Sequence, residues 1–293
     1  MNLNDYSLWT ALITPLKPSL TLDENSLANL IKEQEQAKNG LLILGSTGEA
    51  LNLSLEMKKQ IVEFTLEQKP KVPVMVGVGG HDLPAQMKWI QWLETKNIDA
   101  YLMVTPIYAK PGTFGQYEWF NTLMNQVSKP VMLYNVPGRA AKELSYKTVE
   151  MLKEHPQFWA IKEASGSPQK MKTYLDASGG KKLYCGDDPL MQEFAQVGAC
   201  GLVSVAANTW PKETHLYVQK CLQNKLEEKE TWVNAAKALF VASNPVPAKA
   251  LLCLEERIAH DTMMPPLSRR DLTDIQLLKN SSNNIQTWYN KYK

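Results

Sequence analysis

Short runs of apolar and β-branched residues recur along the chain, each followed by a longer stretch whose apolar positions return every three or four residues. The runs are Trp9–Thr14, Gly40–Leu44, Val74–Val78, Ala100–Val104, Pro130–Tyr134, Phe158–Ile161, Lys182–Cys185 and Gly201–Ser204. Each has the length and composition of a strand. Between them Ser26–Lys38, Ser54–Gln68, Tyr117–Gln126 and Ser145–Glu154 carry helical spacing, mostly opening on a serine suited to capping. Eight such βα units predict an α/β fold, the (β/α)8 or TIM barrel, which usually occupies about 250 residues.

After residue 223 the strand pattern stops. Leu226–Ala242, Pro247–Ile258, Leu267–Leu278 and Asn284–Tyr289 read as helices. The expected organisation is a catalytic barrel over 1–223 with a C-terminal helical extension over 224–293. Asn244-Pro245-Val246-Pro247 makes a rigid break, because each proline disfavours αR in the residue before it. An open doubly wound sheet would need a glycine fingerprint after the first strand, where Thr14-Pro15-Leu16 stands instead. Gly77-Val78-Gly79-Gly80 lacks the third glycine at the required spacing and reads as a tight βα turn.

Composition narrows the function class. With 293 residues, 44% hydrophobic and 21% charged, the chain has the make-up of a globular protein rather than a disordered or coiled-coil one. Lys+Arg 32 against Asp+Glu 30 gives a net charge of +2 with no basic stripe, so no nucleic-acid partner is expected. The first apolar run breaks at Pro15 and Pro18 and no basic segment precedes it, which predicts neither a secretory leader nor a membrane span. Cys185, Cys200, Cys221 and Cys253 lie far apart and suggest a reducing cytoplasm. His81, His155, His215 and His260 show no ligand spacing, so no metal site is expected.

In a barrel the chemistry gathers at the C-terminal strand ends. Lys162 follows Trp159-Ala160-Ile161, where a neutral amine would be a nucleophile toward a carbonyl. The alternative is a rim lysine paired with Glu163. Tyr134 ends the fifth run and supplies a phenol that can exchange protons with a carbinolamine. Gly45-Ser46-Thr47-Gly48 offers two hydroxyls and exposed backbone N–H groups to a small carboxylate, or equally a helix start with Ser or Thr as cap. Arg139, after the Val136-Pro137-Gly138 turn, is either a bidentate fork for a second carboxylate or a surface arginine.

Taken in order, Gly45-Ser46-Thr47-Gly48-Glu49, Val104-Thr105-Pro106-Ile107-Tyr108, Tyr134-Asn135-Val136-Pro137-Gly138-Arg139, Ile161-Lys162-Glu163-Ala164, Gly186-Asp187-Asp188 and Asn244-Pro245-Val246-Pro247-Ala248-Lys249 resemble the dihydrodipicolinate synthase family. That family lies within the pyruvate-dependent class I aldolases, alongside N-acetylneuraminate lyase. The resemblance implies that Lys162 forms a Schiff base with pyruvate and that Tyr134, Ser46 and Tyr108 form a proton relay, Tyr108 coming from a neighbouring subunit of a homodimer or homotetramer. It implies that Thr47 and the backbone around Val203 hold pyruvate, that Gly186 lines the lysine's surroundings, and that Arg139 holds the carboxylate of L-aspartate 4-semialdehyde. No metal or organic cofactor is implied, since the protonated imine is itself the electron sink.

Two positions depart from the family pattern. Ser46 stands where the synthases usually carry Thr, keeping the hydroxyl but losing the methyl that restricts χ1. Ala140-Ala141 replaces the more usual Thr-Gly. The competing readings are a lyase for N-acetylneuraminate or a 2-keto-3-deoxy sugar acid, against which Arg139 speaks, and a non-catalytic carbonyl sensor, against which joint retention of Lys162, Tyr134 and Tyr108 speaks. Feedback-inhibited relatives bind L-lysine in a cleft between subunits. The corresponding positions here are Ala50, Leu51, Leu55, Lys58, His81, Ala85 and Ile107, so weak or no inhibition by lysine is expected.

Overall fold

A computed structural model describes residues 1–293. Eight parallel strands close into a barrel in sequence order: β1 (Leu8–Ala11), β2 (Gly40–Ile43), β3 (Val74–Val78), β4 (Ala100–Val104), β5 (Val131–Asn135), β6 (Phe158–Glu163), β7 (Lys182–Cys185) and β8 (Gly201–Ser204). Closure is made by Leu8, Trp9 and Thr10 pairing with Leu202, Val203 and Ser204. Side chains alternate across each strand, and the alternation separates two cores. Trp9, Leu42, Met75, Leu102, Met132, Ala160, Tyr184 and Val203 fill the interior. Leu8, Leu41, Ile43, Val76, Met103, Leu133, Ile161 and Leu202 face outward into the layer beneath the helices.

Strand bounds depart from the hydrophobic runs where polar groups take over the backbone. β1 stops at Ala11, the third residue of the apolar run. Beyond it the Ile13 N–H donates to Asn208 Oδ1 (2.9 Å) and the Thr14 hydroxyl donates to the Gly48 carbonyl (2.8 Å), so side chains replace ladder partners. β6 runs through Glu163 instead of ending at Ile161. Gly77 is not a turn residue. It lies inside β3, where a Cβ would come within 2.0 Å of the Leu44 carbonyl oxygen, so glycine there permits close approach of two backbones.

The first helix, Glu24–Ala37, is capped by Asp23 rather than Ser26, whose own N–H and hydroxyl both donate to the Asp23 carboxylate. Ser54 does cap the helix Leu55–Glu67, accepting from the Met57 N–H. The extension contains Lys229–Ala238 and Val246–Leu254 and then one continuous helix, Ile275–Tyr292, where two shorter helices are expected. Residues 279–283 fall between those two expected helices. Leu278, Ser281, Ile285 and Trp288 nonetheless form one buried stripe, and tertiary packing overrides the local preference. Trp232 joins the extension to the barrel's outer layer, stacking on Tyr217 at 4.2 Å and meeting Trp210 and Trp288 edge-on. No helix is long and apolar enough to cross a membrane.

Candidate active site

Tyr134 and Lys162 are direct partners across β5 and β6, at the C-terminal end of the barrel. Lys162 has the same strand parity as Ala160, an interior residue, so its side chain enters the barrel. It is 5% exposed and its Nζ lies 4.2 Å from the centre of the Tyr134 ring. Gly186, at the end of β7, makes the room: a Cβ there would stand 2.9 Å from Lys162 Cε. The alternative, a rim ion pair with Glu163, does not form. Glu163 points to the other face, accepting from Asn135 Nδ2 (2.7 Å) and from the Ser165 N–H (2.8 Å).

Asn135 and Glu163 thus pair one residue beyond Tyr134 and Lys162, and both are fully buried. The Asn135 amide oxygen also accepts from the Leu144 N–H. This clamp fixes the register that sets the amine against the phenol. Burial pushes the Glu163 carboxyl above its ordinary value, against the pull of its Ser165 and Asn135 hydrogen bonds. Asp187 and Asp188 are raised for the same reason, with the Lys162 charge opposing. Asp188 is held by the Ser204 hydroxyl and by the N–H groups of Val205 and Ala206, and so fixes the turn after β8; Val203, within that strand, lies 1% exposed.

Neither Ser46 nor Thr47 caps a helix: a 3-10 turn at Ala50–Asn52 follows with Glu49 at its start, and the α-helix beyond it opens on Ser54, six residues after Gly48. Thr47 is buried, and its hydroxyl accepts from Asn244 Nδ2 at 2.8 Å. Glu49 takes a left-handed conformation (φ 57°) and its carboxylate accepts from Lys249 Nζ and from the Met264 N–H (2.7 Å). Lys249 and Glu49 are both wholly buried, and Lys249 donates further to the Thr262 carbonyl. The Asn244–Lys249 segment therefore anchors the hydroxyl loop from the far end of the sequence.

A cavity of about 360 Å³ opens beside these strand ends. Ser46, Tyr134 and Arg139 share its wall, together with Leu44, Val136 and Ile107. Arg139 lies in a single helical turn, Pro137–Ala140, exposed, with one guanidinium nitrogen donating to the Asn244 carbonyl (3.2 Å). Tyr108 is elsewhere. Its side chain is 86% exposed on a loop, at φ 63°, 6.5 Å from the His81 ring, and it touches no part of the cavity within one chain. The structure thus brings together Lys162 with Tyr134 and Gly186, and Ser46 with Tyr134 and Arg139. It leaves Tyr108 pointing outward.

Ala141, one of the two departures, ends the Arg139 turn in the left-handed region at φ 54°. A Cβ is disfavoured there by roughly 1–2 kcal/mol. Ala141→Gly is expected to stabilise the chain by about 1 kcal/mol, less the entropy that glycine gains on unfolding. Thermal unfolding checks this, and a lowered midpoint would show that the methyl packs usefully.

Pattern does not single out Asn244, Lys249, Asn135 or Glu163 for these roles. Each works through a partner on another element, 197 and 200 residues distant for the first two. The available signals are that Asn135 and Glu163 each directly follow a candidate catalytic residue and that Asn244 and Lys249 bound one of the segments that carry the family resemblance.

Comparison with known proteins agrees with this geometry. The model of the dihydrodipicolinate synthetase family matches residues 6–281. A 4-hydroxy-tetrahydrodipicolinate synthase of Wolbachia pipientis (Culex pipiens strain wPip) is 42% identical over 282 residues, covering 96% of each chain. The structure of the 4-hydroxy-tetrahydrodipicolinate synthase from Methylacidiphilum fumariolicum SolV superposes with a TM-score of 0.90 at 27% identity, covering 98% of both chains. A chloride-inhibited dihydrodipicolinate synthase from Acinetobacter baumannii, complexed with pyruvate, gives 0.88 at 29% identity, covering 96% of this chain and 99% of that one.

Proposed function

The chain belongs to the dihydrodipicolinate synthetase family, and from that premise we propose that Lys162 carries its reaction, the condensation of pyruvate with L-aspartate 4-semialdehyde on the diaminopimelate route to lysine. The observation that carries the assignment is the pairing of Lys162 with Tyr134 at the barrel mouth, the amine 4.2 Å over the phenol ring. The Lys162 amine adds to the pyruvate carbonyl, and Tyr134 supplies and recovers protons as the carbinolamine loses water. Loss of a methyl proton from the imine gives an enamine, which attacks the aldehyde and forms the new C–C bond. The substrate's own amine then adds to the imine carbon, closes the ring and frees Lys162, so that 4-hydroxy-tetrahydrodipicolinate leaves.

Thr47, the backbone at Val203 and the space beside Gly186 would seat pyruvate. Arg139, held by the Asn244 carbonyl, would take the carboxylate of the semialdehyde. Ser46 would pass protons between Tyr134 and a partner's Tyr108. That role supports a homodimer or homotetramer, since Tyr108 meets no cavity in its own chain while Leu51, Leu55 and Phe114 are also exposed. We place the enzyme in the cytoplasm, where four free thiols are compatible with their surroundings.

The test is product formation from pyruvate and L-aspartate 4-semialdehyde, run beside cleavage of N-acetylneuraminate and of 2-keto-3-deoxy acids. Faster turnover of a sugar acid would overturn the substrate. Arg139→Ala is expected to raise the KM for the semialdehyde roughly tenfold or more and to lower kcat, with pyruvate trapping at Lys162 retained. If both substrates weaken alike, Arg139 serves the structure only. Free L-lysine is expected to leave the rate unchanged up to about 1 mM, because the cavity carries Lys58 and Arg139 and no acidic side chain to receive an ammonium. Half-inhibition below that concentration would refute it.

A further inference from the structure

Thr47 and Asn244 stand 197 residues apart in the chain, yet their side chains meet at 2.8 Å, the Asn244 amide nitrogen donating to the Thr47 hydroxyl oxygen. Both residues are buried. The contact is braced from each side. On the threonine side the Glu49 N–H donates to the Ser46 carbonyl (3.1 Å) and the Thr14 hydroxyl donates to the Gly48 carbonyl, so the loop carrying Thr47 is closed on itself and tied to the segment beyond β1. On the asparagine side the Asn244 carbonyl receives the Arg139 guanidinium, and the helix Val246–Leu254 is buried from Val246 through Leu252 and bonded to Glu49 through Lys249. Thr47 is β-branched, which leaves its hydroxyl oxygen few positions to occupy.

The direction of that bond has a chemical consequence. A hydroxyl carries one hydrogen and two lone pairs, whereas an amide N–H can only donate. Asn244 therefore occupies a lone pair of Thr47 and leaves the O–H hydrogen uncommitted. The Asn244 amide oxygen has no partner, so its side-chain amide meets the rest of the chain through this one bond. We propose that Asn244 is a positioning residue that sets the polarity of Thr47, so that the threonine hydroxyl donates to the carboxylate of the keto acid held at Lys162. The inference rests on the reading that Thr47 seats pyruvate. A carboxylate only accepts, so a hydroxyl turned the other way presents a lone pair to it and repels it. Asn244 acts through Thr47 and touches no substrate itself.

The test follows borohydride trapping at Lys162 against ligand concentration, with pyruvate and with its uncharged amide, pyruvamide, in the wild-type chain and in Asn244→Asp, Thr47→Val and the double variant. An aspartate at 244 accepts from the Thr47 hydroxyl and so reverses it. Pyruvamide can answer with its own N–H, whereas pyruvate cannot. Asn244→Asp is expected to raise the half-saturating concentration of pyruvate roughly thirtyfold and that of pyruvamide by less than about threefold. Thr47→Val should raise the pyruvate value about tenfold, and the double variant should match Thr47→Val within about threefold, since no hydroxyl is left to reverse. Half-saturation does not depend on the fraction of chains that fold, so partial unfolding cannot mimic this pattern. A pyruvate value for Asn244→Asp within about threefold of wild type would show that Thr47 donates to the amide instead, and would overturn the inference. Equal losses for pyruvate and pyruvamide, the mark of a merely structural role, would do the same. So would a double variant more than about threefold worse than Thr47→Val, the mark of direct charge repulsion. Failure of the wild-type chain to trap pyruvate at all would instead remove the Lys162 reading, and this inference with it, before any variant is compared.

Discussion

Lys162→Ala is expected to lower turnover at least about 10⁴-fold in a chain that still folds, because the covalent route is lost while no ion-paired partner is orphaned. The side chain is 5% exposed and its neighbour Glu163 is already satisfied by Asn135 and Ser165. Tyr134→Phe makes the informative contrast. The ring remains beside Nζ but the proton donor is gone, so turnover should fall by about 10²–10⁴ while pyruvate still reacts with the amine, slowly. Circular dichroism of both variants separates loss of chemistry from loss of fold. If Lys162→Ala kept more than a few per cent of wild-type activity, another nucleophile would have to be found.

Lys249→Met should destabilise the chain by about 3–5 kcal/mol, lowering the thermal midpoint on the order of 10 °C. Burial pulls the Lys249 amine below its ordinary value while the Glu49 charge opposes, and both partners are out of reach of water. Removing the cation leaves the Glu49 carboxylate in that position with the Met264 N–H as its remaining donor. The double variant Glu49→Gln/Lys249→Met should recover most of the loss, because a neutral amide costs far less to bury than an unpaired charge. Since Glu49 sits two residues from Thr47, the single variant should also raise the KM for pyruvate. A midpoint within about 2 °C of wild type would show that the pair is balanced by its own desolvation.

The barrel was legible in the sequence because its signal is local. Eight apolar runs at βα spacing fall on the eight strands, with errors confined to ends such as β1, where the Asn208 side chain substitutes for a ladder partner of Ile13. Errors grow in the extension, where Asp274 caps one long helix that continues through residues 279–283, expected to separate two. Lys162 and Tyr134 were readable from strand-end position, although the structure sets Lys162 inside β6 rather than after it. The supports were not readable. The Asn244 bonds to Thr47 and to Arg139, and the Lys249 bond to Glu49, join segments that only barrel closure and the docking of the extension bring together. Tyr108 illustrates the other gap: its exposure in one chain becomes meaningful only if a second chain receives it.

The central claim is that the Lys162 amine bonds covalently to pyruvate. Incubating the protein with pyruvate and borohydride, digesting it and locating the modified peptide by mass spectrometry tests that claim most directly, since reduction converts a transient imine into a stable secondary amine. One carboxyethyl group per chain on Lys162, absent when pyruvate is omitted, is the expected result. Modification at another lysine such as Lys58 in place of Lys162, or no modification while the enzyme turns over, would contradict it.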